Sequence, residues 1–572
     1  MIGRAAALGV SATALSALLA ACGSSNSNST TAASSSTGSS SGSSATTSSS
    51  SSSSSTASSS SSAGSSNETP KKGGTFVFGA WQDADTLDPH TTGLAATSRI
   101  LIQIYDALVW SNPEDKKLYP GLAQKWEVST DGKEYTFTLR QDVKFHNGEP
   151  FTSDSVKFSY DRIVNPDTKS LGRSSLGPYN RTETPDKYTA KVVFDQPFTP
   201  FLTYVSVTLG LRPVSPKAYQ DLGTNINVHP VGTGPFMYKD YVKQDHFTMV
   251  KNPDYNWAPS FRKHQGVPYL DEIDWKIIPE PGTRTAALDS GQVMAIEEVP
   301  PQNVVQYKQQ TSKYYIQQSA TPGQPRMILV NTQQAPTNDL AVRQACIMAT
   351  DQDTIIKSIY LGVYTPSHNL LDPLTPDYAK DIDQYFQFDL DKAQQTLDAA
   401  GWKAGSNGIR EKDGKPLHIL FISNSANDFQ RIAELMQATY KKAGIDMEIQ
   451  FESQPSVFST YNKGSQNFAD FFFWDPSPDQ LSATYGSANI ETGFNWSHYN
   501  NPDFDKLVQD AAASTDPAKV TDLYHQAQVI LGKDAVAIPI QEKIALIVVE
   551  NKVKNVVFDS NPYPYYYDSW LS

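Results

Sequence analysis

Apolar residues recur at every second position in two stretches of this chain. Tyr135, Phe137 and Leu139 alternate with Thr136, Thr138 and Arg140 behind the turn residues Asp131 and Gly132, and Tyr188, Ala190, Val192 and Phe194 repeat the period. A two-residue period lines one face of a strand, so this region is expected to be β-rich. Between the two stretches Val156, Tyr160 and Ile163 stand at helical spacing, and Ser153 or Asp154 offers a side-chain oxygen to cap a helix over residues 153–163. Further upstream, Gly73-Gly74-Thr75-Phe76-Val77-Phe78-Gly79 reads as a first strand that runs into a loop at Thr86-Leu87-Asp88-Pro89-His90.

The pattern changes in the second half. Residues 391–400 have helical spacing with Gly401 as the stop. Residues 417–423 predict a strand, residues 426–443 an amphipathic helix ended by Gly444, and residues 445–451 a second strand. Phe429, Ile432, Leu435 or Met436, and Tyr440 mark the helix face that is expected to be buried. A strand, a helix of this length and a returning strand make a parallel βαβ unit, which places an α/β lobe here. The stretch 535–557 is apolar and β-prone, and Pro539, lacking an N–H, marks an edge strand or a bend. No internal repeat is visible, so lobes arising by duplication are not supported.

The amino terminus has a different character. Arg4 precedes an apolar run over residues 5–21 that ends in Leu19-Ala20-Ala21-Cys22. The run is short and weakly apolar for a membrane span, which needs about 20 strongly apolar residues, so residues 1–21 are expected to be an export signal. The motif resembles the lipobox of bacterial lipoproteins, which implies lipid attachment at Cys22. From Gly23 to Asn67 nearly every residue is Ser, Thr, Ala or Gly, a composition that cannot bury enough apolar surface to offset chain ordering. Residues 22–70 are therefore expected to be a lipid-anchored flexible tether with a root-mean-square reach of about 40 Å. Within it, Gly38-Ser39-Ser40-Ser41-Gly42 matches the nucleophile-elbow pattern but lacks the flanking strand and helix that give the pattern its chemistry.

Composition narrows the class of the remainder. The chain holds 28 Tyr, 25 Phe and 9 Trp, enough for a large core in two or three lobes. Of its two cysteines one is the acylation candidate, so Cys346, in an apolar run, has no intramolecular partner. A net charge of −13 argues against a nucleic-acid partner. Metalloprotease, zinc-finger and phosphate-loop motifs are absent, so an exported hydrolase is the weaker alternative and no enzyme activity, cofactor or metal is expected. His146 is expected to be a structural hydrogen-bonding histidine.

Three segments carry a resemblance: Pro120-Gly121-Leu122-Ala123-Gln124-Lys125-Trp126-Glu127-Val128, then Tyr135-Thr136-Phe137-Thr138-Leu139-Arg140, then residues 143–154 from Val143-Lys144-Phe145-His146-Asn147-Gly148 to Ser153-Asp154. Leu87-Asp88-Pro89, Gly232-Thr233-Gly234-Pro235-Phe236, Asn252-Pro253-Asp254-Tyr255 and Asp339-Leu340-Ala341-Val342-Arg343-Gln344-Ala345 follow in order. With them the chain resembles the family 5 solute-binding proteins of ABC importers, the bacterial dipeptide and oligopeptide receptors. The resemblance implies an α/β fold of the type II periplasmic-binding-protein kind, two lobes on a hinge with an extra domain. It implies a first lobe over residues 71–106, 201–295 and 539–572, a second domain over 107–200, and an opposing lobe over 296–538. It implies an extracytoplasmic, monomeric receptor that hands an oligopeptide to ABC permease subunits and an ATPase, anchored to the membrane through its lipid.

In peptide-binding relatives an aspartate in an aromatic loop of the last lobe pairs with the ligand α-ammonium, since a desolvated cation needs a buried countercharge. The matching loop, residues 471–481, offers Asp475, or Asp479 in another register, with Trp474 beside it. Trp81 and Trp496 are further candidates for the cleft walls; each tryptophan is equally at home in a core. The loop departs from the usual family pattern around the aspartate, which keeps an oligosaccharide receptor open as the alternative within the family.

Overall fold

The structure is a computed structural model that describes residues 68–424, 429–473, 477–491 and 493–572. Cys22, the signal and most of the tether lie outside the described residues, as do Trp474 and Asp475. Among the described residues no helix is long and apolar enough to cross a membrane.

The first strand, Thr75–Ala80, forms the middle of a seven-stranded sheet. It runs parallel to Glu272–Ile277 on one side and to Ala295–Glu297 on the other. His246–Lys251 and Phe236–Val242 extend the sheet at one end, and Ile544–Glu550 and Tyr314–Ala320 at the other. Phe76, Phe78, Trp275 and Tyr566 interlock on its inner face, with Phe78 and Trp275 rings 4.4 Å apart. The predicted alternation in Glu134–Leu139 is realised as one strand of a four-stranded antiparallel sheet with Ala123–Val128, Thr189–Phe194 and Tyr179–Asp186. The helix over this sheet is Ser153–Val164 and its N-cap is Thr152, not Ser153 or Asp154. Ser153 is already helical, and its hydroxyl is drawn instead to the Asp186 carbonyl at 2.7 Å.

The βαβ unit is present as His418–Asn424, Phe429–Ala443 and Asp446–Glu452, the two strands parallel and Gly444 at φ +82°. Phe429, Ile432, Met436 and Tyr440 are buried as the spacing required. These strands belong to a five-stranded sheet with Phe468–Phe473, Gln324–Val330 and Ala537–Gln541. Pro539 sits in the last of these, at the sheet edge, where a missing donor is tolerated.

Sheet membership moves two of the expected boundaries. Tyr314–Ala320 pairs along its whole length with Ile544–Glu550 in the seven-stranded sheet, so the chain crosses to the last lobe at residues 321–323, not at 296. It returns at residues 542–543, not at 539, because Ala537–Gln541 is still paired in the five-stranded sheet. Within the apolar run over 535–557, Glu542 and Lys543 part Ala537–Gln541 of the five-stranded sheet from Ile544–Glu550 of the seven-stranded one. One large apolar core joins the seven-stranded and four-stranded sheets, a second fills the last lobe, and a smaller third cluster packs Val363 and Tyr364 of the last lobe with Ile296, Tyr314 and Val548 of the first. Two cores connected by two short crossings is the geometry of a hinge.

Candidate functional site

Ligands of open α/β sheets bind beyond the carboxyl ends of the strands. At that end of the first lobe, Trp81 follows Thr75–Ala80 and Glu298 follows the adjacent parallel strand Ala295–Glu297. Arg284, 1% exposed, organises the turn by donating from Nε to the Glu297 carbonyl at 2.9 Å and from Nη2 to the Glu298 carbonyl at 2.8 Å. This fork holds Glu298 at φ +47°, a left-handed conformation that a residue with a Cβ seldom takes. Glu297 points inward and pairs with buried Arg99 at 2.5 Å, whereas the Glu298 carboxylate is 56% exposed and only 3.9 Å from Arg99 at its nearest. Burial pushes the Glu297 carboxyl up, and Arg99 opposes that shift. The Trp81 backbone N–H reaches Glu297 Oε1 at 3.4 Å, while its buried indole N–H has no hydrogen-bond partner among the described residues.

The two crossings meet at the floor of this region. Thr321 donates from both its backbone N–H and its hydroxyl to the Lys543 carbonyl, each at 3.1 Å. Gly323, at φ +127°, donates to Thr375 Oγ1 at 2.8 Å, and its carbonyl accepts from the Asp372 N–H at 2.7 Å. Asp372 Oδ1 in turn accepts from the Lys543 N–H at 3.4 Å. Burial drives the Lys543 ammonium well below its ordinary range, reinforced by Arg326 and opposed by Asp372 and Glu298. Burial likewise drives Asp372 well above the carboxylate range. Lys543 Nζ lies 3.9 Å from the centre of the Phe472 ring, which is 45% exposed, and Arg326 lies over Phe429 and Phe472. Groups from both lobes and both crossings thus converge on one charged junction with an exposed aromatic ring.

Of the residues singled out from sequence, Trp81 stands in this junction. Trp474 and Asp475 fall outside the described residues, directly after Phe468–Phe473. Trp496 is 6% exposed, its indole N–H bonded to Asn462 Oδ1 at 3.0 Å and its ring packed among Phe458, Phe471 and Phe494. It therefore backs the more exposed rings of Phe458 and Phe494. Asp479 sits between the two bodies: its Oδ2 accepts from the Tyr204 hydroxyl at 3.4 Å and its Oδ1 from the Tyr524 hydroxyl at 3.5 Å. Tyr204 belongs to the first core and Tyr524 to the second. Burial pushes the Asp479 carboxyl up to about 6 against the pull of the two hydroxyls. Nearby, the Thr199 N–H and hydroxyl both donate to the Ala512 carbonyl. His146 is a structural residue, its Nε2 3.0 Å from the Gly234 carbonyl and its Nδ1 accepting the Gly232 N–H.

Glu298, Arg326, Asp372 and Lys543 escaped the sequence reading. None sits in a recognisable motif. The one visible signal was the charged pair Glu542-Lys543 interrupting an apolar run.

Two lobes, each with a large core of its own, joined by two crossings and meeting in a charged, aromatic cleft, define a hinged receptor for a solute. Residues 117–498 match the profile of bacterial extracellular solute-binding proteins, family 5 Middle. The dipeptide-binding protein of Escherichia coli (strain K12) is 30% identical over 486 residues, 80% of this chain and 87% of that protein. NikA from Brucella suis, solved with Fe(III)-EDTA, is similar at TM-score 0.78 and 27% identity over 87% of this chain and 100% of that one. DppA from Helicobacter pylori, solved with the peptide STSA, gives TM-score 0.74 and 26% identity over 88% and 98%. The chain belongs to the family 5 extracellular solute-binding proteins, the extracytoplasmic receptors of ABC importers. Its fold is that of the type II periplasmic binding proteins. A permease and an ATPase are the partners of such a receptor, and the relatives are named as binding proteins rather than enzymes.

Proposed function

We propose that the protein captures peptides or peptide-like solutes in the interlobe cleft and delivers them, as a monomer tethered through lipidated Cys22, to its permease. The observation that carries the peptide reading is the 30% identity with a dipeptide-binding protein across four-fifths of the chain. A junction that presents the Glu298 carboxylate together with the guanidinium groups of Arg99 and Arg326 suits a zwitterion. Asp475 supplies the countercharge for the α-ammonium, and Trp474 and Trp81 wall the backbone. Binding to one lobe and completion of contacts by the other stabilise the closed form through differential affinity.

A second reading, an oligosaccharide receptor, is favoured by the exposed rings of Phe458, Phe472 and Phe494, since aromatic faces cover sugar rings. Thermal shift of the purified protein against di- to hexapeptides and oligosaccharides separates the two, because a ligand of the folded state alone raises Tm. Free peptides are expected to stabilise, and N-acetylation or Asp475→Ala to abolish the shift. Stabilisation by sugars alone would overturn the peptide reading.

A further inference from the structure

A cavity of about 40 Å³ opens at the lobe junction, lined by Glu298, Glu297, Arg99, Tyr364, Ile544 and Leu546 among others. Its size admits the end of one side chain and not a whole peptide. Its walls are chemically uneven, with aliphatic residues of the strand Ile544–Glu550 on one side and carboxylates on the other. The one cation on that wall, Arg99, is held by Glu297 at 2.5 Å, while Glu298 has only a 3.9 Å contact with it. Glu298 is moreover fixed in a strained conformation by Arg284, and strain held by surrounding structure is a mark of a functional position. Lys543, on the returning crossing, is close enough for the Glu298 carboxylate to act on its ammonium.

We propose that Glu298 is a specificity-determining residue that receives the ammonium of a lysine-like side chain of the ligand, whose aliphatic stem lies against Ile544, Leu546 and Tyr364. A lysine side chain joins an apolar stem to a point charge, the same division that the cavity wall shows. The inference rests on the peptide reading and adds to it a side chain that the cleft prefers.

The test is calorimetric titration of the purified protein with Ala-Lys-Ala and with its isostere Ala-norleucine-Ala, which lacks only the ammonium. Wild type is expected to bind the lysine peptide about fivefold more tightly, the worth of one half-exposed ion pair. In Glu298→Gln the ratio is expected to fall to about one, and Glu298→Asp to give an intermediate ratio. Equal affinities in wild type would overturn the inference while leaving the peptide reading intact. So would a Glu298→Gln protein that binds both peptides more weakly yet keeps the ratio, since that result assigns Glu298 to lobe closure against Lys543. If neither peptide binds, the peptide reading falls and this inference with it.

Discussion

Single residues explain why the recognisable motifs of this chain are motifs. Gly232 lies so close to the backbone of Ile104 that a Cβ would stand 2.0 Å from its carbonyl oxygen, and a Cβ on Gly234 would stand 2.6 Å from that of Gln103. The Gly234 N–H donates to the Ile104 carbonyl at 2.7 Å, so Gly-Thr-Gly is a backbone-on-backbone seam. Gly232→Ala is expected to destabilise the protein by about 3 kcal/mol or more in chemical denaturation, because the obstacle is main chain and cannot rotate away. Asp479 makes a pH-dependent prediction. Its carboxyl is raised in the folded protein to about 6, so the folded state holds this proton more tightly than the unfolded chain does. Its contribution is most favourable below the unfolded pKa and is lost as pH rises through about 6. Asp479→Asn is therefore expected to stabilise the protein by about 1–3 kcal/mol at pH 8, with the gain shrinking towards pH 4. A gain that does not vary with pH across paired melting curves would show that the carboxyl does not titrate at the interlobe contact.

At the scale of elements, the crossings concentrate the strain. Gly323 uses both its N–H and its carbonyl at φ +127°, a region open to glycine and closed to side chains. Gly323→Ala is expected to lower stability by about 1–3 kcal/mol in equilibrium unfolding, and an unchanged midpoint would mean that this crossing relaxes freely. Periodicity was a dependable guide to elements whose two faces differ. The alternation in Glu134–Leu139 and the buried face of Phe429–Ala443 were both legible in the residues. The cap of Ser153–Val164 was not, since Thr152, Ser153 and Asp154 all carry capping oxygens and only the position of the Asp186 carbonyl selects among them. The candidate site was less legible than the elements. Glu298 and Lys543 are separated by most of the last lobe in the chain and come within electrostatic reach only because the chain leaves and re-enters the seven-stranded sheet on either side of that lobe.

At the scale of the whole molecule, one large core spans the first two domains, a second fills the last lobe, and only a small third cluster carries Val363 across, so relative motion is expected at the crossings and not between the first lobe and the four-stranded sheet. Asp88 adds to that rigidity, its buried carboxylate accepting from Arg162 of Ser153–Val164 and from the Tyr219 hydroxyl at 2.7 Å. Small-angle scattering of the purified protein is expected to show a smaller radius of gyration with a stabilising peptide than without it. An identical radius would place the free protein already in the closed form. Cys22→Ser is expected to shift the protein from the membrane fraction to the soluble exported fraction, since one lost thiol removes the proposed site of acylation.

The sequence by itself determined what depends on near neighbours: the two-residue and helical periods, the βαβ unit and the ordered motifs that mark the family. These follow from side-chain spacing and backbone freedom within a few residues. Tertiary structure alone decided which sheet each strand joined, and hence that Tyr314–Ala320 and Ile544–Glu550 close the first lobe while Gln324–Val330 and Ala537–Gln541 open the last. It also decided that Trp81 and Glu298 follow neighbouring parallel strands. The physical reason is that strand pairing is set by hydrogen-bond partners and burial hundreds of residues away, and a local period records which face of a strand is apolar but not which sheet that face will cover.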